Sequence, residues 1–157
     1  MTNLCFEVLQ ALAGRTLATA ESCTGGGIGS ALTAVPGSSA VYKGGVISYC
    51  NEIKQRLLGV SAEVLARCGA VSAPVAEAMA LGARTALQTD AAVSVTGLAG
   101  PGGDEFGNPV GTVFIGYSDQ NGTFAKRFHF PGGRDAVREA AVEAALQLVL
   151  SMAKEMN

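Results

Sequence analysis

The segment that joins the first predicted strand to the following helix decides the fold. Residues 16–35 read TLATAESCTGGGIGSALTAV. The short apolar run 16–20 predicts a buried strand, and the glycines beyond it predict a tight turn. Helical spacing then resumes over 28–35 and ends at Pro36-Gly37. A strand that turns directly into a helix is the building unit of α/β folds, so this segment predicts an α/β protein.

Helices and strands continue to alternate on both sides of this segment. Asn121-Gly122 is the strongest hairpin signal in the chain. The element order α-β-α-β-α-α-α-β-β-β-α predicts a mixed parallel and antiparallel sheet with helices on both faces, a three-layer α/β/α sandwich. For 157 residues we expect a single domain spanning 1–157. The further predicted helices cover 4–12, 52–58, 61–69, 72–88 and the residues from Arg134 onward, and the further predicted strands cover 45–50, 91–95, 111–118 and 123–130.

Composition and charge exclude several classes of protein. Hydrophobic residues make up 48% of the chain and charged residues only 15%, which is too apolar for a disordered protein. No apolar run approaches the roughly 18 residues of a membrane span. The net charge of −2 comes without a basic stripe, which disfavours a nucleic-acid partner. The segment 1–14 lacks a basic start, so we expect no signal peptide and a cytoplasmic protein.

The cysteines and the single histidine exclude further chemistries. His129 stands between Phe128 and Phe130 in an alternating segment, so it projects to the face opposite both rings and is expected to be structural or solvent-facing. Without a histidine at the site, neither a Ser-His-Asp nor a Cys-His enzyme can be built. No C-x-x-C pair is present, so we expect no metal site and reduced thiols that mostly fill the core: Cys5, Cys23, Cys50 and Cys68.

The turn 21–29 is the first of three segments that could carry chemistry. At a strand-to-helix turn, N–H groups and the positive end of the helix dipole favour an anion. A nucleophile such as Ser22 would have oxyanion donors beside it. Alternatively, Ser22 and Thr24 are ordinary helix caps, and the glycines only permit close packing. Neither a P-loop nor a G-x-G-x-x-G pattern is present, which disfavours an NTPase or a dinucleotide fold.

The second segment, 48–54, places a tyrosine at the end of a strand and a lysine in the first turn of a helix. Asn51 is the expected N-cap of that helix. The positive end of the helix dipole disfavours a cation there, and burial would lower the pKa of Lys54 further. A neutral lysine can accept a proton from a serine, and the hydroxyl of Tyr49 between them could relay it. Alternatively, Lys54 is a solvated surface residue and Tyr49 a core aromatic.

The third segment is the loop that follows the strand 91–95. It begins TGLAGPGGD at Thr96 and continues to Pro109 without predicted secondary structure. Loops of this length are commonly binding loops or lids, and successive glycine N–H groups can form an anion-binding concavity. Alternatively, the loop is passive and flexible. Asp104-Glu105 is interpreted as a solvated acidic pair, because adjacent side chains rarely chelate a metal together.

Together these segments resemble a known family. The stretches ESCTGG at 21–26, Tyr49 with Lys54 five residues later, TGLAGPGG at 96–103 and PVGTV at 109–113 look like the motifs of the CinA C-terminal domain, or PncC, family of nicotinamide-nucleotide amidases. The resemblance covers nearly the whole chain, and the four motifs in this order are jointly very specific. Larger members of the family carry an additional N-terminal domain, so the chain is similar to the stand-alone form.

The resemblance implies an α/β/α sandwich, commonly a homodimer, that hydrolyses nicotinamide mononucleotide to nicotinic acid mononucleotide and ammonia without a metal or a cofactor. It assigns the nucleophile to Ser22 and its partners to Tyr49 and Lys54. In the expected mechanism neutral Lys54, assisted by Tyr49, deprotonates Ser22, and N–H groups near 23–26 hold the oxyanion on the path to an acyl-enzyme. Substrate contacts are expected from Thr24, Gly25, Gly26, Thr96, Gly97, Ala99, Gly100, Gly102, Gly103 and Arg138.

Two other interpretations remain open. A non-catalytic nucleotide-binding or regulatory module could use the same glycine loops, and an amidase or esterase could act on a different small amide. Ser22→Ala separates the first from the amidase, because it would spare a binding module and abolish ammonia release by an enzyme. Competition among nicotinamide, nicotinamide mononucleotide and NAD separates the second.

Overall fold

A five-stranded sheet lies at the centre of the molecule. The structure is a computed structural model that describes residues 1–156. The order of the strands in the sheet is β2-β1-β3-β4-β5. β1 pairs in parallel with both β2 and β3, whereas the β3–β4 and β4–β5 pairs are antiparallel, so the predicted mixed sheet is confirmed. The strand bounds are β1 Leu17–Glu21, β2 Tyr42–Ile47, β3 Ala91–Gly97, β4 Thr112–Asp119 and β5 Gly122–His129.

Helices cover both faces of this sheet, as the predicted three-layer α/β/α sandwich requires. The helices are α1 Thr2–Ala11, α2 Gly27–Thr33, α3 Asn51–Leu58, α4 Ala62–Cys68, α5 Ala73–Leu87 and α6 Arg134–Met156. One core lies between the sheet and α1, α2 and α6, and the other lies between the sheet and α3, α4 and α5. Leu17 belongs to the first core and Ala18 to the second, because successive strand residues point to opposite faces. Within residues 1–156, no helix combines the length and the apolar character needed to cross a membrane.

Local signals in the sequence explain where two of the helices begin, and mislead by one residue at a third. The Val64 N–H donates to Ser61 Oγ at 3.1 Å, which caps α4. Pro74 lies in the first turn of α5, where its missing N–H costs nothing. The prediction that Asn51 caps α3 is wrong by one residue, because Asn51 is already helical and Cys50 occupies the cap position without a side-chain bond.

The second strand differs from its prediction over 45–50. β2 begins at Tyr42 and ends at Ile47, so it starts earlier and leaves residues 48–50 outside the sheet. Glycines argue against a strand, but at Gly45 a Cβ would overlap Thr19 Oγ1 of the neighbouring strand. A small residue is therefore what lets β2 pair closely with β1. The residues displaced from the strand become the connection that carries Tyr49 and leads into α3.

The single histidine lies at the surface, and the four cysteines range from buried to exposed. His129 is exposed at the end of β5, and its Nε2 lies 3.0 Å from the Val110 carbonyl oxygen. All four thiols are free. The expectation that they mostly fill the core holds for Cys5 and Cys23, which are buried, whereas Cys68 is half-buried and Cys50 is exposed.

Candidate active site

The carboxyl ends of the three parallel strands bring the predicted residues to one edge of the sheet. Ser22 follows β1 directly, and its N–H donates to the Val95 carbonyl of β3 at 3.0 Å. Ser48 follows β2, and its N–H donates to the Glu21 carbonyl at 2.8 Å. The chain leaves β1 toward β2 on one side and leaves β3 toward β4 on the other, which creates a topological switch point between β1 and β3. Ligands of open α/β sheets bind at such points.

Lys54 and Ser22 form the centre of the site. Lys54 Nζ lies 2.9 Å from Ser22 Oγ and 2.6 Å from the Ser48 carbonyl oxygen. The lysine is 1% exposed and the serine 8% exposed. Among residues 1–156 no carboxylate lies within ion-pair distance of this amine. An unpaired lysine is almost never fully buried in a protein without a functional reason.

The surroundings of Lys54 favour its uncharged form. Burial lowers the pKa of this amine, and the nearby Cys50 and Cys23 thiols oppose that shift only in part. A neutral amine keeps one lone pair and two N–H donors. Because one N–H is directed to the Ser48 carbonyl, the lone pair can face Ser22 Oγ and accept its proton.

Cys23 stands next to the serine but is a poor nucleophile. Burial raises the pKa of its thiol to about 11. The thiolate is the reactive form of cysteine, so at neutral pH this side chain stays protonated and inert. Of the two adjacent groups that could attack a carbonyl, only Ser22 has a base in contact with it.

Glu21 organises the turn that presents Ser22. Its carboxylate is 2% exposed and accepts three hydrogen bonds. Oε1 accepts from Thr24 Oγ1 at 2.7 Å and from the Ile28 N–H at 2.9 Å, and Oε2 accepts from the Gly29 N–H at 3.1 Å. The chain's own carboxylate therefore fills the anion position at the start of α2. The Thr24 hydroxyl is committed to Glu21, so the expected substrate contact of Thr24 stays a prediction for its N–H group alone.

Two glycines of the turn also serve its shape rather than the pocket. Gly25 has φ +58° and Gly26 has φ +103°, left-handed values that L side chains rarely adopt. Neither residue lines the cavity at Ser22. The structure therefore gives Gly25 and Gly26 a conformational role, and their expected substrate contacts stay a prediction.

Arg138 lies behind the turn. Its Nε donates to the Cys23 carbonyl at 3.0 Å, and its Nη2 lies 3.4 Å from the Thr24 carbonyl. It lines a separate cavity between α2 and α6 together with Val142. Arg138 does not line the cavity at Ser22, and its expected substrate contact stays a prediction that would place the ligand in this separate cavity.

The cavity at Ser22 has a volume of about 330 Å³ and is walled by the loop that follows β3. Five of the predicted binding residues line it: Thr96, Gly97, Ala99, Gly100 and Gly102. Gly103 does not. The Thr96 hydroxyl donates to the Ala70 carbonyl at 2.8 Å, so this side chain also ties the strand to the α4–α5 connection.

Tyr49 lines the mouth of the cavity rather than its floor. Its side chain is 61% exposed, and its hydroxyl accepts a hydrogen bond from Arg134 Nη2 at 2.9 Å. The expectation that this hydroxyl stands between the serine and the lysine is wrong in this geometry, since Lys54 contacts Ser22 directly. The second guanidinium nitrogen of Arg134 donates to the Gly100 carbonyl at 2.6 Å. Arg134 thus bridges the two sides of the mouth.

Comparison with known proteins identifies the family. The family model described as the CinA C-terminal domain matches residues 2–153. The chain belongs to the CinA C-terminal domain family. A CinA-like protein of Thermosynechococcus vestitus is 55% identical over 138 residues, which cover 86% of this chain and 33% of that protein. A CinA-like protein of Mycolicibacterium gilvum is 51% identical, covering 91% and 34% respectively. The chain thus spans about a third of the length of these relatives.

Solved structures of CinA proteins share the fold over nearly their full length. The competence damage-inducible protein A of Klebsiella pneumoniae superposes with a TM-score of 0.93 at 39% identity, covering 96% of this chain and 94% of that one. The competence/damage-inducible protein CihA of Agrobacterium tumefaciens gives a TM-score of 0.92 at 39% identity, with the same coverage of both chains. The CinA-family fold is therefore shown for this chain.

Sequence reasoning missed several residues of this CinA-family pocket. The most important is Arg134, whose only signal was its position as the first residue of α6, after Pro131-Gly132-Gly133. A cation is disfavoured at the start of a helix, so an arginine there is placed against its local preference. The same reasoning identified Lys54. The other lining residues that were missed carried no such signal: Cys23, Asn51, Ala70, Val71 and Leu98.

Proposed function

We propose that this CinA-family chain is a nicotinamide-nucleotide amidase, which hydrolyses nicotinamide mononucleotide to nicotinic acid mononucleotide and ammonia. The observation that carries the proposal is the 2.9 Å contact between the buried, unpaired amine of Lys54 and the hydroxyl of Ser22, at the carboxyl ends of the parallel strands. Serine attacks a carbonyl only when a base removes its proton, and no histidine is near. Lys54 fills that role.

Acylation uses the two residues as nucleophile and base. Neutral Lys54 takes the proton of the Ser22 hydroxyl while Oγ bonds to the carboxamide carbon, and the carbonyl electron pair moves onto oxygen. As the tetrahedral intermediate collapses, the C–N bond breaks and Lys54 returns its proton to the leaving nitrogen, which departs as ammonia. Lys54 is then neutral again and Ser22 carries the acyl group.

The N–H groups that follow Ser22 are the candidate oxyanion donors. Within residues 1–156 the amides of Cys23 and Thr24 donate to no other residue, whereas those of Ile28 and Gly29 are used by Glu21. Two free donors beside a nucleophile suit a developing negative charge, and removing one such donor typically costs about 10²–10³ in rate.

Deacylation repeats the same proton path with water. Lys54 takes a proton from a water molecule, whose oxygen attacks the acyl carbon. The bond from that carbon to Ser22 Oγ breaks, and Lys54 returns the proton to the serine. The product is a carboxylic acid, which releases its remaining proton to solvent and leaves as a carboxylate.

Arg134 is the candidate for the substrate phosphate. It is a cation at the mouth of the cavity, and a planar guanidinium suits bidentate binding of phosphate. The cavity of about 330 Å³ lies within the usual range of small-ligand sites. A phosphate that takes over Arg134 would release the Tyr49 hydroxyl, which can then turn toward the reacting groups.

The test is incubation with nicotinamide mononucleotide and measurement of released ammonia. Wild type should release ammonia, and Ser22→Ala should not while still binding the nucleotide. Ser30→Ala, an exposed serine of α2, is the matched control and should retain activity. Ammonia release by Ser22→Ala equal to that of wild type would overturn the proposal. Binding without turnover in wild type would favour a regulatory module, and equal turnover of free nicotinamide would remove the phosphate site.

A further inference from the structure

A second polar cavity lies at the opposite end of the sheet. It has a volume of about 140 Å³ and lies beside the amino ends of β1 and β3. Arg15 reaches it from the residues before β1, and Arg84 from the last turn of α5. Along β1 and its flanks, at about 3.3 Å per residue, it is roughly 20 Å from Ser22. The other lining residues are Thr89, Asp90, Gln120 and Met156.

Both arginines present buried donors that nothing in the chain uses. Arg15 Nη1 and Arg84 Nε are buried and have no hydrogen-bond partner within residues 1–156. The only described bond from either side chain is that of Arg15 Nη2 to the Met156 carbonyl at 2.9 Å. Buried donors without acceptors are rare in proteins, and each one costs about 1–3 kcal/mol when it is left unpaired.

The nearby carboxylates form no ion pair with either arginine in the described part of the chain. Asp90 Oδ2 accepts from the Thr16 N–H at 2.8 Å and from Thr16 Oγ1 at 3.1 Å. The buried Asp119 accepts from the Asn121 N–H at 2.8 Å. Neither carboxylate lies within ion-pair distance of an arginine in the described part of the chain.

Neighbouring charges show that the two guanidiniums share one environment. Arg15, Arg84 and Asp119 all act on the hydroxyl of Tyr117, whose pKa is raised chiefly by burial. The charges of both guanidiniums therefore reach the same buried phenol, and both arginines line the same cavity. Arg15 and Arg84 differ in this from the exposed Arg56 and Arg67, each of which forms an ion pair with a glutamate one helical turn earlier.

We propose that this cavity binds a small tetrahedral oxyanion of the size of inorganic phosphate, bridged by Arg15 and Arg84. Guanidinium forks match phosphate oxygens in charge and geometry. The cavity volume of about 140 Å³ would hold about four or five water molecules at their volume in the liquid. It is smaller than the usual site for a drug-sized ligand. The anion joins the start of β1 to the end of α5, so it stabilises the native chain and is independent of the amidase proposal.

The experiment titrates sodium phosphate against the whole chain by calorimetry and by thermal unfolding, with sodium chloride at matched ionic strength as reference. We expect one site per chain at Arg15 and Arg84. Saturation at ten times the dissociation constant should raise the Tm by roughly 3–6 °C. Arg84→Gln should weaken this binding at least tenfold, and Arg84→Lys, which keeps the charge but lacks the fork, should weaken it too.

Two matched variants separate this site from other sources of phosphate binding. Arg56→Gln removes an exposed arginine and should leave the affinity unchanged. Arg134→Gln removes the candidate phosphate cation of the Ser22 cavity, so the phosphate binding that remains in this variant belongs to Arg15 and Arg84. Sulfate, which is also a tetrahedral oxyanion, should compete with phosphate. No phosphate-specific shift in wild type, or an equal shift in Arg84→Gln, would overturn the proposal and leave water as the partner of the free donors.

Discussion

Two glycine-rich segments follow neighbouring parallel strands, and the glycines of only one of them line the cavity. The turn 21–29 and the loop after β3 are both predicted to bind the substrate. In the turn, the Glu21 carboxylate takes the N–H groups of Ile28 and Gly29. In the loop, the amides of Gly100 and Gly102 have no partner within residues 1–156, and both residues line the cavity.

The difference teaches that glycine at a strand end does not by itself mark a binding surface. In the turn, the Glu21 carboxylate takes the donors at the start of α2, which leaves the Cys23 and Thr24 N–H groups for a ligand. The function of the turn is to hold one residue, Ser22, in place. The loop provides surface instead, because its donors are unused. The two segments therefore should respond differently to substitution.

The largest expected effect comes from removing Lys54, the base that contacts Ser22 of the turn. Lys54→Met should lower kcat by about 10²–10⁴-fold, as is typical for loss of a general base. The fold should become more stable at neutral pH, because the lysine is protonated in the unfolded chain at this pH and its lowered pKa in the fold makes folding release that proton at a cost in stability. Steady-state kinetics and denaturant unfolding measure the two effects. Retained kcat would remove lysine from the mechanism.

The two arginines of α6 provide the next comparison. Arg134→Gln should raise KM for the nucleotide about 10–100-fold, because a charge-assisted bond to phosphate is lost, and should change stability little. Arg138→Gln should leave KM nearly unchanged and lower the free energy of unfolding by about 1 kcal/mol, because it braces the turn. The opposite pattern of KM values would place the phosphate in the cavity between α2 and α6.

Turn and loop can also be compared directly by stability. Glu21→Gln should lower the free energy of unfolding by about 1–3 kcal/mol, because an amide cannot accept at both positions that the carboxylate now serves. Gly102→Ala should change it by less than about 0.5 kcal/mol, since nothing lies within 4 Å of the added Cβ. Urea unfolding of both variants measures this. Equal losses would contradict the distinction between the two segments.

The smallest effect is expected from the tyrosine at the mouth. Tyr49→Phe should lower kcat less than about tenfold, because Lys54 already contacts Ser22 without an intermediary. Kinetics with the nucleotide measure this, with Tyr42→Phe as a control outside the cavity. A loss of about 10³-fold would instead make the Tyr49 hydroxyl part of the proton path.

The sequence predicted what local chemistry determines. The alternation of elements, the hairpin at Asn121-Gly122 and the placement of Lys54 in the first turn of α3 follow from short-range patterns. The partners of Tyr49 and Arg138 could not be predicted, because they depend on how α6 docks. Tyr49 and Arg134 are 85 residues apart along the chain. No pattern in a single sequence reports such a contact.

The most direct test of the central claim is a titration of the lysine amines by nitrogen NMR, with Lys54→Met used to assign the signal. The chain has four lysines, Lys43, Lys54, Lys126 and Lys154. We predict that Lys54 loses its proton at a lower pH than the other three, and that kcat/KM for the nucleotide rises with pH through the same transition. A Lys54 amine that titrates together with the surface lysines would contradict the claim that an uncharged amine activates Ser22.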